Sequence, residues 1–152
     1  MGGEHLYSFA PNTNTWIDPF GLRGVTVTRA PKGSAFDYIL KLDSSVYPET
    51  AGHIKNAIRK GCPSIVTIDR DDPEAVKKRR NDSLKNKCTK KGKDRDEWPM
   101  AMFAEGGTNN NCPGNVADVE LIGFSDNRGA GKSIQLALAN FLDGTKVKFK
   151  IV

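Results

Sequence analysis

The sequence predicts an α+β domain, and three observations carry that prediction. Apolar residues recur at helical spacing in two stretches, and an Asp-Pro start marks a third helix. Short β-branched or alternating runs lie between these stretches, and Gly, Pro and Asn punctuate the joints. The chain has 152 residues, the length of about one domain, with a small mixed or antiparallel sheet and about three helices expected. No apolar run approaches the ~18–20 residues of a membrane-spanning helix, so no membrane insertion by this segment is expected. Met1 to Leu22 lacks the basic start and unbroken apolar stretch of a signal peptide.

Residues 1–35 read as loop and strand fragments interrupted by Pro11, Pro19, Gly21, Gly24, Pro31 and Gly33. The first strand is expected at 37–42. Pro48-Glu49-Thr50 then opens a helix with Ala51, Ile54, Ala57 and Ile58 on one stripe, ended by Gly61. Residues 64–68 are β-branched and short, which suits a strand. Asp72 can cap a second helix with Pro73 in its first turn, running into a basic cluster and a loop over 86–93. Two further strands are expected at Met100 to Ala104 and Val116 to Ile122. A helix follows over Gly129 to Leu142, and Lys146 to Val152 alternates as an edge strand. The organisation is thus a lead over 1–22, a linker over 23–35 and a domain over 36–152.

Charge narrows the function. The chain carries 23 Lys and Arg against 18 Asp and Glu, a net +5. Every basic residue lies at or after Arg23, while Glu4 and Asp18 precede it, so residues 23–152 carry +7. Between Lys77 and Arg95 ten basic side chains face two acids, Asp82 and Asp94. That density suits a polyanion, because each neutralised phosphate releases condensed counterions. A solvated lysine-rich loop is the plain alternative. Three cysteines are too few for a disulfide scaffold and lack zinc spacing. Cys88 and Cys112 flank the acidic segment, which suggests one bridge between them with Cys62 free beside a strand; three reduced thiols is the alternative.

The densest chemical signal is Lys93-Asp94-Arg95-Asp96-Glu97-Trp98-Pro99. Paired carboxylates beside basic residues suit metal-assisted phosphodiester hydrolysis: one holds a hard cation, one takes a proton from water, and an arginine neutralises phosphate. A salt-bridged turn before a strand is the competing reading. Ser125 to Ser133 tempts a P-loop reading, but the Walker pattern needs a glycine where Asp126 stands. A helix start capped by Asp126 or Ser125, with Asn127 as metal ligand and Arg128 as phosphate contact, fits better. His5 lies in the lead. His53 sits next to the apolar stripe of the first helix, where a surface or core-edge role is the default.

Several motifs, in order and spacing, resemble the NucA/NucB deoxyribonuclease family over residues 36–152. They are Val46-Tyr47-Pro48-Glu49-Thr50, Thr67-Ile68-Asp69-Arg70-Asp71, Asp94-Arg95-Asp96-Glu97-Trp98-Pro99, Glu105-Gly106-Gly107, Ser125-Asp126-Asn127-Arg128-Gly129 and Asp143-Gly144-Thr145. The resemblance implies a minimal ββα-metal-like nuclease, cutting DNA without sequence preference with one divalent ion, Mg or Mn. It implies Asp96 as metal ligand and Glu97 as general base, with Asn127 as the helix-borne ligand. Arg128 and Arg95 would offset phosphate charge, and Glu105 and His53 are secondary candidates. Lys85, Lys87, Lys90, Lys91 and Lys93, with Arg128, would hold DNA. The lead, Tyr7 to Leu22, resembles the end of the core of Rhs/YD-repeat polymorphic toxins, whose Asp-Pro-x-Gly-Leu element (here from Asp18 to Leu22) marks the cleavage junction. That resemblance implies a monomeric toxin released from an Rhs-like shell, secreted or injected into a target cell, and blocked by an acidic immunity protein. A freestanding secreted DNase and an inactive DNA-binding module are the alternatives.

Overall fold

The computed structural model describes residues 15–16 and 23–152, so Asp18, Leu22 and the rest of the lead lie outside the described residues. The α+β expectation holds. A five-stranded mixed sheet runs in the order β1–β2–β3–β7–β4. Its strands are β1 (Thr15–Trp16), β2 (Val25–Arg29), β3 (Tyr38–Leu42), β4 (Ile65–Thr67) and β7 (Lys146–Ile151). Only β3 and β7 pair in parallel. A separate antiparallel ribbon joins β5 (Lys93–Trp98) to β6 (Asp118–Gly123), with Asp96 opposite Glu120. The described residues form three α-helices: α1 (Pro48–Lys60), α2 (Pro73–Leu84) and α3 (Phe124–Ala137).

Local chemistry explains most boundaries. Pro48 starts α1, and Thr50, Ala51, His53, Ile54 and Ala57 make its buried stripe. Gly61 ends it at φ 121°, a conformation that favours glycine. Asp72 caps α2 as expected, accepting from the Glu74 and Ala75 N–H groups. The core between sheet and helices holds Leu40, Leu42, Ile54, Val66, Ile134 and Leu138. Trp98 and Phe103 pack edge-on against Phe149, with centroids 4.7 and 5.7 Å away. Trp98 thereby anchors the ribbon to the main sheet, and its Nε1–H donates to the Pro63 carbonyl at 3.0 Å.

Five expectations are corrected. The strand placed at 100–104 lies at 93–98, because the ladder to β6 begins at Lys93; residues 100–104 form turns with a single bridge from Phe103 to Ile68. Strand β7 is interior, between β3 and β4, since both its edges find partners. Helix α3 begins at Phe124 rather than Gly129, so Asn127 and Arg128 lie inside its first turns. The disulfide joins Cys62 to Cys112, and Cys88 is an exposed free thiol in the basic loop. Cys62 directly follows α1, and the 105–117 loop folds back over that helix end. Residues 25–29, inside the segment read as linker, pair with β3 and bury Val25 and Val27.

Candidate functional site

Strand alternation organises the site. On β5, Asp94, Asp96 and Trp98 point to one face, and Arg95 and Glu97 to the other. The first face meets α1 and α3, and the second meets α2. Asp94 accepts from Arg128 Nε at 2.9 Å and Nη2 at 3.1 Å, and from Asn127 Nδ2 at 3.2 Å. Asp96 is buried, with Oδ2 at 2.5 Å from His53 Nδ1. The other ring nitrogen of His53 lies 3.1 Å from Asp118, which also accepts from Lys60. Glu97 turns the opposite way, accepting from Arg80 Nη1 at 3.3 Å and from the Ala101 N–H at 3.4 Å.

An open cleft of about 420 Å³ lies at the start of β5, lined by Arg80, Thr89, Lys93, Asp94, Arg95, Asn127 and Arg128. Here one carboxylate and one carboxamide meet several cations, an arrangement suited to a phosphodiester. The Arg128 hydrogen bond, with Asn127 adding to it, holds the Asp94 carboxyl below the usual carboxylate range, so it is ionised at neutral pH. Glu97 behaves oppositely. Burial pushes its carboxyl up against the pull of Arg80, and its Oε2 makes no hydrogen bond, the nearby Ser83 hydroxyl donating instead to the Arg79 carbonyl. Burial alone would lower His53, but the Asp96 hydrogen bond and charge overcome it and raise the imidazole.

The first turn of α3 is fixed by an exchange of caps with α1. Tyr47, at the N-cap of α1, supplies no side-chain acceptor, and Asp126 fills that role: its carboxylate takes the Glu49 and Thr50 N–H groups at 2.9 and 2.8 Å. In return Glu49 accepts from the N–H of Gly123, the N-cap of α3, at 3.1 Å. Each carboxylate thus sits at a positive helix end. A Cβ at Gly123 would stand 2.9 Å from Glu49 Oε1, and one at Gly129 would stand 2.9 Å from the Tyr47 ring. Glycine at both positions lets α3 approach α1 and carries Asn127 and Arg128 up to Asp94. Asp126 was expected to cap its own helix; it caps the neighbouring one.

Asp96 and Asn127 were expected to share a metal, but Asn127 meets Asp94 and Asp96 is taken up by His53. Asp96 and Glu97, expected to work as a pair, occupy opposite faces because adjacent strand residues must. Arg95 donates to the Lys87 carbonyl at 3.2 Å and so props the basic loop from below. Glu105 accepts from the Thr67 N–H and hydroxyl, each at 2.8 Å, and ties the 105–117 loop to β4. Lys85, Lys87, Lys90 and Lys91 are exposed on the loop, while Lys93 lines the cleft and donates to Glu49. Arg79 is spent on structure, holding Asp69 and the Ala101 carbonyl.

Sequence reasoning missed Asp94 and Arg80 in the cleft and the burial of His53. Placing the start of the strand at Lys93 would have revealed the alternation. Extending the 54, 57 stripe back by helical spacing to 50 and 53 would have placed His53 within the buried face.

The Asp94 carboxylate, now accepting from the Asn127 amide N–H and from Arg128, is the oxygen donor that a hard divalent cation keeping its waters would use here, and Asn127 could join it only with its carboxamide turned to present the oxygen. The described residues contain no group of three or more His, Cys, Asp or Glu arranged to hold a metal.

No family model matches the chain. It is similar to the DNA-entry nuclease of Bacillus subtilis (strain 168), with 49% identity over 116 residues that cover 76% of this chain and 72% of the relative. Identity at that level over most of both chains is shared descent, and the chain belongs to the family of the DNA-entry nuclease.

Proposed function

We propose that this chain is a divalent-metal-dependent DNA endonuclease without sequence preference, with its reaction centre in the Asp94–Asn127–Arg128 cleft. The observation that carries this reading is the meeting of an ionised carboxylate, a carboxamide and several cations in one open cleft, below an exposed lysine loop. The lysines and Arg80 take phosphates flanking the cut, which needs no base contacts and gives no sequence preference. Asp94 would hold the cation, either Mg or Mn, and Asn127 would join it with its carboxamide turned to present the oxygen. Bound there, such an ion neutralises charge on the reacting phosphate and polarises the attacking water. Arg128 leaves Asp94 for the phosphate as the strand enters and stabilises the charge that develops in the transition state. Asp96, locked by His53, and Glu97, set behind Arg80, support the strand and the arginine rather than touching DNA.

The finer biological reading is a toxin domain behind an Rhs-like core end at 1–22, secreted or injected and restrained by an acidic immunity protein that covers the lysine loop. The relative is a DNA-entry nuclease, which fits a second reading equally well, a freestanding nuclease that acts on DNA. Plasmid nicking with and without EDTA tests the enzymatic claim: nicking that EDTA abolishes and Mg or Mn restores is expected, and metal-independent or absent nicking overturns it. The product of an adjacent gene tests the toxin claim. A tight complex that blocks nicking supports it, and a neighbour that neither binds nor inhibits leaves the freestanding nuclease.

A further inference from the structure

Phe124 is the large apolar side chain nearest the cleft that the fold leaves uncovered. Its ring is 40% exposed and takes no part in the hydrophobic core. It stands at the first position of α3, one turn before Arg128, so ring and guanidinium share a helix face. The Arg128 guanidinium carbon lies 4.4 Å from the ring centroid, stacked over its face, while the same group hydrogen-bonds Asp94. Among the described residues, the other exposed large apolar side chains lie beyond the reach of the cleft arginine: Leu136 and Leu142 at or past the far end of α3, and Val152 in the last described position.

We propose that Phe124 and the Arg128 guanidinium form a stacking platform for an unpaired nucleobase beside the cut phosphate. The inference rests on the cleft being a nuclease site. When a phosphate draws Arg128 away from Asp94, the ring face that the guanidinium covers is released next to the bound backbone. A base flanking that phosphate then stacks on the ring, with Arg128 reaching past it to the phosphate. Aromatic stacking tolerates every base, so the platform adds affinity without adding sequence preference. A base can reach it only outside a duplex stack. Single-stranded, nicked or locally melted DNA is therefore the preferred substrate, and intact duplex is cut more slowly.

The test compares the full chain with Phe124→Ala and Phe124→Trp. Binding is measured in EDTA by fluorescence anisotropy, with a single-stranded oligonucleotide and an abasic one of the same length. Wild type and Phe124→Trp should bind the base-bearing strand more tightly. Phe124→Ala should lose about 5–100-fold on that strand and keep wild-type affinity for the abasic one. Unchanged affinity of Phe124→Ala for the base-bearing strand overturns the platform. Equal losses on both strands also overturn it, because the ring would then serve only to position Arg128. If wild type fails to nick DNA with metal present, the nuclease reading falls, while the anisotropy comparison still decides whether Phe124 receives a base.

Discussion

Removing the Cys62–Cys112 bridge should lower stability by several kcal/mol, and the size of the effect follows from the chain it closes. The two cysteines are 50 residues apart, and the loop contains α2, the basic loop and β5. In the chain-entropy account, constraining a loop of that length in the unfolded state contributes about 4 kcal/mol at room temperature. Cys62 and Cys112 are both buried, so Cys62→Ala with Cys112→Ala removes the link with little change in polarity. The assay is urea unfolding followed by circular dichroism, on wild type, the double variant and Cys88→Ser, each with and without reductant. Wild type should lose about 2–4 kcal/mol on reduction, the double variant should show that loss from the start, and Cys88→Ser should match wild type. A reductant effect below about 1 kcal/mol in wild type, or its disappearance in Cys88→Ser, would refute the reasoning.

Four other outcomes are expected. Asp94→Asn should reduce nicking at least ~100-fold with unchanged circular dichroism, the scale of a positioned catalytic group, while Glu97→Gln should stay within about tenfold of wild type because that carboxyl lies outside the cleft. Arg128→Ala should cost about 10²–10³ in the rate of cutting, as removal of one transition-state donor does, read from single-turnover kinetics. Reversing charge at Lys85, Lys87, Lys90 and Lys91 should weaken DNA binding and flatten its dependence on salt, which anisotropy at several salt concentrations measures. Asp143 is held below the usual 3.8 by the Arg70 and Asp71 N–H groups, so it adds stability above that pH and loses it as pH falls through its folded value. Asp143→Asn should accordingly melt below wild type at neutral pH, with the gap closing in acid.

The first two helix starts and the class of the fold were legible because they depend on neighbours in sequence. Pro48, Asp72 and Pro73 carry their signals locally, and 48–60 and 73–84 emerge with the expected starts. The ribbon was displaced because charged residues read as a turn: Lys93 to Glu97 holds five ionisable side chains, and only pairing with β6 makes such a run a strand. The disulfide depended on the 105–117 loop folding back to the end of α1, a contact with no signature in spacing. Residue types pointed to 94–97 and 125–128, and the structure brings Asp94, Asn127 and Arg128 of those segments together, but which side chains meet turns on which way each one points. That direction follows from register and from the helix start, and both are tertiary facts.

The closed ion pair at the centre of the cleft is compatible with catalysis because it is weak. The Arg128 side chain is 68% exposed, and exposed pairs contribute little once solvent screens them and long side chains lose freedom. The pair still keeps Asp94 ionised, and it holds Arg128 in one place above Phe124. An incoming phosphate offers the guanidinium a charge-assisted, bidentate partner at least as good as the one it leaves. In the proposed reaction, exchange would therefore cost little net free energy and would uncover the carboxylate when a polyanion arrives. Before that, Asp94 is masked by a cation from its own chain. The rigid parts lie one layer deeper, in the Asp126 and Glu49 caps and the His53–Asp96 contact, so the groups that must move can do so without disturbing the frame that aims them.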